Sequence, residues 1–139
     1  MVIAFDFDGT VADGGWPDIL KARPNRVVID WLKRRKAKGD QLIMWTCREN
    51  YGGVRYPDGP YLNEAVRFCN RHQLFADNVN MSIDEVPGDY GTKFGRKVTA
   101  DFYLDDNSVP FNPKSPIADL WWRLYLLAVD LRLALAVRK

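Results

Sequence analysis

The sequence predicts an α/β domain of three layers around a mainly parallel sheet. The first observation is a set of strand-length runs, at Val2–Phe5, Gln41–Trp45 and Asn78–Ile83, with a fourth closing on Leu104. The second is that stretches of helical periodicity separate the first three runs, the alternation that builds crossover connections. The third is that the first and last runs close on carboxylates, Asp6 and Asp8 at one and Asp105 and Asp106 at the other. Open α/β sheets hold their ligands beyond the carboxyl ends of their strands, so these acids sit where chemistry is expected.

A chain of 139 residues suits one domain, 1–139, and 47% hydrophobic with 27% charged residues is ordinary globular content. The net charge of +2 is too small to argue for nucleic acid or a membrane surface. Cys47 and Cys69 have neither a Cys-x-x-Cys nor a zinc spacing, and both are expected as reduced thiols of a cytoplasmic protein. Asp6 and Asp8 interrupt what would have to be the apolar region of a signal peptide.

In chain order, Val2–Phe5 is a buried strand, and Gly9 can take the positive φ that lets the chain leave it. Asp6 then stands at the strand end and Asp8 in the loop beyond, where one acid can attack while the other handles protons. The stretch 12–18 is too rich in Gly and Pro for a regular element, and its Trp16 either lines a substrate entrance or packs on its own domain. Asn25 caps a helix that carries Val27, Val28, Trp31 and Leu32 inward and stops at Gly39. Its basic run, Lys33 to Lys36, reads as a solvated face.

The second strand ends in Thr46, Cys47 and Arg48. A threonine at a strand tip can donate its hydroxyl to a phosphoryl oxygen, and Arg48 offers a bidentate fork to phosphate or carboxylate. Cys47 as the nucleophile of a cysteine phosphatase would need an arginine six residues on, and position 53 is Gly. The connection 49–60 is long and irregular, suited to reading a leaving group. Leu62, Ala65, Val66, Phe68 and Cys69 mark a second helix ending near His72, which as a surface cation would meet the helix dipole favourably. A Gly- and Pro-bearing loop, 84–95, precedes the last strand, drawn from Lys97 to Leu104 with Asp101 remote from its acid tip. A hard divalent cation takes oxygen ligands of the kind that Asp6 and Asp106 offer.

The run Asp6-Phe7-Asp8-Gly9-Thr10 closely resembles the first motif of the haloacid dehalogenase-like superfamily, and Leu104-Asp105-Asp106 looks like its fourth. The resemblance covers residues 2 to 107. It implies a Rossmann-like fold and Mg2+-dependent phosphomonoester hydrolysis through an aspartyl-phosphate. By that resemblance Asp6 is the nucleophile and Asp8 the general acid and then base, with its main-chain carbonyl in the metal shell. Thr46 is the second motif, and Lys97, with Lys93 in reserve, holds the nucleophile and phosphoryl charge together. Asp6 and Asp106 bind the metal, with Asp105 bridging through water or hydrogen bonds; Arg48 and Trp16 face a small phosphorylated substrate. The stretches 13–25 and 49–60 are too short for the family's cap domains, which implies a capless or minimally capped member. A nucleotide or nucleic-acid-end phosphatase, and a catalytically silent assembly module on the same fold, are the alternatives.

The last stretch, 117–139, is apolar around most of a helix. Leu120, Trp121, Leu124, Leu127, Ala128, Leu131 and Leu135 form one face for packing on the sheet. Trp122, Tyr125, Val129, Leu133 and Ala136 form a surplus suited to a subunit interface, and hence to a homo-oligomer. Arg123, Asp130 and Arg132 rule out a membrane span, leaving an interfacial membrane helix as the weaker alternative.

Overall fold

The computed structural model describes residues 1–50, 57–83 and 98–136. In chain order the elements are β1 (Val2–Phe5), β2 (Ala12–Asp13), β3 (Arg23–Pro24), α1 (Arg26–Ala37), β4 (Gln41–Met44), α2 (Tyr61–Arg71), β5 (Asn78–Val79), β6 (Phe102–Leu104) and α3 (Ala118–Ala136). Four strands form a parallel sheet in the order β5-β4-β1-β6, and β2 and β3 make a small antiparallel ribbon beside it. This is the α/β, Rossmann-like architecture expected from the alternation of runs.

Both faces of the sheet are covered. Ile3, Phe5, Leu42, Met44 and Leu104 share a cluster with Val28, Trp31 and Leu32 of α1, Ala65 and Phe68 of α2, and Trp122 of α3. The alternate residues Ala4 and Ile43 instead meet Val98, with Ile83, Trp45 and Tyr103 packed around them. Large side chains removed from water in this way contribute about 1.5–3 kcal/mol each before chain entropy is counted.

The register positions the site. Phe5 of β1 lies beside Met44 of β4 and Leu104 of β6, so the next residues along, Asp6, Trp45 and Asp105, leave the sheet at one edge. At the opposite edge Asp101 brackets Val2, its amide donating to the Val2 carbonyl at 2.9 Å and its carboxylate accepting from the Val2 amide at 2.7 Å. Asp101 is therefore remote from the acid tip, as expected. The final strand is shorter than the sequence implies, because the chain is irregular over 98–100 and pairs only from Phe102. β5 likewise keeps only Asn78 and Val79.

Asn25 caps α1 by accepting from the Val28 amide at 3.3 Å, and Gly39 ends it at a φ of +95°. The basic run does not form a solvated face throughout. Arg35 is buried, with Nε 2.6 Å from Asp40 and Nη1 3.4 Å from Asp130 of α3. Lys36 donates to the Phe75 carbonyl and to Asp77, at 2.7 and 2.9 Å. Asp40 is five residues on, but Phe75, Asp77 and Asp130 lie far away in sequence, so local pattern could not reveal that these cations fasten α1 to the rest of the domain. His72 leans on Phe68 at a tilt, with 4.6 Å between ring centroids, and its pKa is lowered by burial and by Arg26, Arg71 and Lys33. It is thus disfavoured as the cation expected at the end of α2.

The last helix is turned the other way round from the expectation. Trp122, Leu126 and Val129 point into the core, with Tyr125 and Leu133 partly buried beside them. Leu120, Trp121, Leu124, Leu127, Leu131 and Leu135 face outward, Leu131 with 61% of its surface exposed. Apolarity all round the helix gave it no preferred face; the observed one buries Trp122, Leu126 and Val129 and brings Asp130 to 3.4 Å from Arg35. Among the described residues, no helix is long and apolar enough to cross a membrane.

Candidate active site

Asp6 follows β1 directly, and its amide is held by the Leu104 carbonyl of the neighbouring strand at 2.9 Å. The chain then turns back on itself, with the amides of Val11 and Ala12 both donating to the Phe7 carbonyl. Gly9 makes the turn at a φ of +82°, and a Cβ there would stand 2.4 Å from Oδ2 of Asp106. Glycine is needed both for the backbone conformation and for the approach of that carboxylate.

The other acidic loop is fastened to this one. The Asp106 amide donates to the hydroxyl of the buried Thr10 at 2.8 Å, and Asp105 accepts from the Asn107 amide at 2.8 Å, opening the single 3-10 turn Asp106–Ser108. One carboxylate oxygen each from Asp6, Asp105 and Asp106 consequently lie within 4.8 Å of one another. The Asp6 pKa is pushed up to about 7, chiefly by burial and then by the charges of Asp105, Asp8 and Asp106, against the lowering effect of the Phe7 amide. Asp106 is raised as well, by burial first and then by Asp105. Oxygens that share an ion at ~2.0–2.6 Å are at most ~4–5 Å apart, so the spacing and the all-oxygen donor set both suit a hard divalent cation. Such a cation would relieve the crowding of like charge that raises these two acids.

Asp8 stands apart from that trio. Both of its oxygens accept from Arg48, from Nε at 2.8 Å and from Nη2 at 2.7 Å, and Nη2 also reaches the Gly15 carbonyl at 2.9 Å. Arg48 is 1% exposed, with its guanidinium 4.9 Å from the Phe7 ring centre and 5.0 Å from that of Trp16. The fork expected to meet a substrate's phosphate or carboxylate thus engages a carboxylate of the chain itself. Trp16, 42% exposed, covers this pair and leans on Tyr61 at 5.2 Å, so it stands at the rim as well as packing on its own domain.

Thr46 is buried two residues past β4. Its amide donates to Oδ1 of Asn80 at 2.8 Å, and its hydroxyl accepts from the Arg48 amide at 3.2 Å. Lys97 and Lys93 lie outside the described residues, as do 51–56 of the long connection and the whole loop 84–95.

Two contributors carried no role in the sequence reading. Thr10 was visible as part of the run after Asp8, but its partner in the last loop was not. Asn80, at a φ of +53° with its amide on the Met44 carbonyl, pins Thr46 from β5; an Asn beyond a strand hints at such a left-handed position without saying what it holds.

No family model matches the sequence, and a comparison with curated proteins finds no match. The chain is similar to a solved structure, described as that of a conserved protein coded by a locus from Bacteroides thetaiotaomicron, at 25% identity and a TM-score of 0.67, over 95% of this chain and 91% of that one.

Proposed function

We propose that the chain is a phosphomonoester hydrolase of the haloacid dehalogenase-like type, dependent on a divalent cation such as Mg2+. The observation that carries the reading is the convergence of Asp6, Asp105 and Asp106 at one sheet edge, with Asp8 held two residues from Asp6 by a buried arginine. An Oδ atom of Asp6 attacks phosphorus in line, the bond from phosphorus to the leaving oxygen breaks, and Asp8 delivers a proton to that oxygen. Water then attacks phosphorus in the aspartyl-phosphate as Asp8 takes up its proton; the bond from phosphorus to the Asp6 oxygen breaks, releasing inorganic phosphate and restoring the Asp6 carboxylate. A bound dication supplies charge neutralisation, favouring the ionised Asp6 that attack requires. Thr46, at the adjacent strand end, and Lys97 are assigned to the transferring group.

Between Asp13 and Asn25 the chain builds only the β2–β3 ribbon and one 3-10 turn, which fits a minimally capped site and a small phosphorylated substrate. Two free thiols fit a cytoplasmic protein. Turnover of p-nitrophenyl phosphate that needs Mg2+ and disappears in a folded Asp6→Asn variant is the expected result. A folded parent protein inert toward aryl, sugar and nucleotide phosphates alike would overturn the proposal in favour of a silent assembly module. Preference for 3′- or 5′-phosphorylated oligonucleotides, weakening steeply with salt, would instead favour a nucleic-acid-end phosphatase.

The outward stripe of α3 supports self-association with a second copy. Seven large apolar residues, from Ile117 to Leu135, are each at least 43% exposed, the kind of apolar surface that marks an interaction site. Sedimentation as a monomer across micromolar concentrations would reject this, and binding to liposomes would then favour the interfacial helix.

A further inference from the structure

We infer that Arg48 is a positioning residue for proton transfer, fixing the carboxylate of Asp8 for its work on the leaving oxygen; the inference rests on the phosphotransfer reading above. Among the described residues, both hydrogen bonds to the Asp8 carboxylate come from Arg48. Asp8 itself lies on a loop and keeps 37% of its side chain exposed. A short, half-exposed acid on a turn would sample several rotamers, and a two-point contact with a planar fork removes that freedom.

Arg48 is in turn held by its surroundings. Its backbone amide is on Thr46, its Nη2 on the Gly15 carbonyl, and its plane lies against Phe7 and Trp16. Burying a guanidinium this deeply is costly unless charge and hydrogen bonds compensate, yet Nη1 is buried with no partner among the described residues. Packing alone is served better by an apolar side chain, and the charge that offsets this burial is the Asp8 carboxylate held by the fork. A lysine, with a point charge and no fork, cannot hold both oxygens in one plane.

The test uses the dependence on leaving group. Departure of dinitrophenolate needs little protonation, whereas an alkoxide leaves poorly without it, and kcat/KM reports the steps through that departure. Arg48→Met and Arg48→Lys are compared with Asp8→Asn and the parent protein in Mg2+, on 2,4-dinitrophenyl phosphate and on an alkyl phosphate, after folding is checked by circular dichroism. Arg48→Met is expected to lower kcat/KM for the alkyl phosphate by about 10²- to 10³-fold, in the range of a lost general acid, and for the dinitrophenyl ester by only a few-fold. Arg48→Lys should fall between, and should remain available if Arg48→Met fails to fold. Equal losses on the two substrates in a folded variant would make Arg48 a structural residue and overturn the inference while leaving the hydrolase reading intact. No turnover by the parent protein on either substrate would overturn both.

Discussion

Replacing Gly9 by alanine should separate stability from metal binding at this site. The backbone at Gly9 has a φ of +82°, where an L-residue costs roughly 1–2 kcal/mol. The added Cβ would lie 2.4, 2.6 and 2.9 Å from Oδ2, Cγ and Oδ1 of Asp106. All three contacts are with a side chain that can rotate away, so the clash adds little to the loss of stability. The carboxylate, however, must retreat by about 1 Å to reach an ordinary contact, which exceeds the tolerance of coordination distances near ~2.0–2.6 Å. Urea unfolding in chelator is expected to show a loss of about 1–2 kcal/mol, and calorimetric titration with Mg2+ a loss of affinity of at least tenfold. In an Asp106→Ala background the clash is gone, so Gly9→Ala should cost the same 1–2 kcal/mol and change the remaining affinity little. Unchanged Mg2+ affinity in a folded Gly9→Ala protein would refute the placement of Asp106 in the metal site.

Three further outcomes are expected. In chelator, Asp6 binds its proton more tightly in the folded state, because its pKa rises from 3.8 to about 7; stability from this group is greatest below pH 3.8 and is lost as pH rises toward 7. Asp6→Asn should therefore match the parent near pH 4 and exceed it at pH 8, by at most about 4 kcal/mol, a gap that urea titrations would measure and that identical pH slopes would disprove. Arg35→Met should cost about 3 kcal/mol in urea by leaving Asp40 and Asp130 without their shared partner, whereas Arg34→Ala, at an exposed position, should change stability by less than about 0.5 kcal/mol. On α3, Trp122→Ala should cost about 3–5 kcal/mol by emptying the core, while Leu124→Glu with Leu131→Glu should abolish self-association without lowering Tm; the reverse pattern in melting and sedimentation would restore the orientation expected from sequence.

The sequence by itself determined the fold class and the place of the acids. Runs such as Val2–Phe5 and Gln41–Met44 have one reading as buried strands, and the helix from Asn25 to Gly39 is bounded by local chemistry, a side-chain cap and a positive φ. Asp6, Asp8, Thr46, Asp105 and Asp106 were legible because each lies just beyond the end of such a run. What the tertiary structure alone decided are the pairings between distant segments: Arg48 with Asp8, Asp106 with Thr10, Thr46 with Asn80, and Arg35 with Asp130. The same holds for the direction of α3, whose apolar residues surround the helix and carry no preferred face. Periodicity and caps are properties of neighbours along the chain, whereas a charge or hydroxyl takes its role from whatever the fold brings within about 3 Å of it.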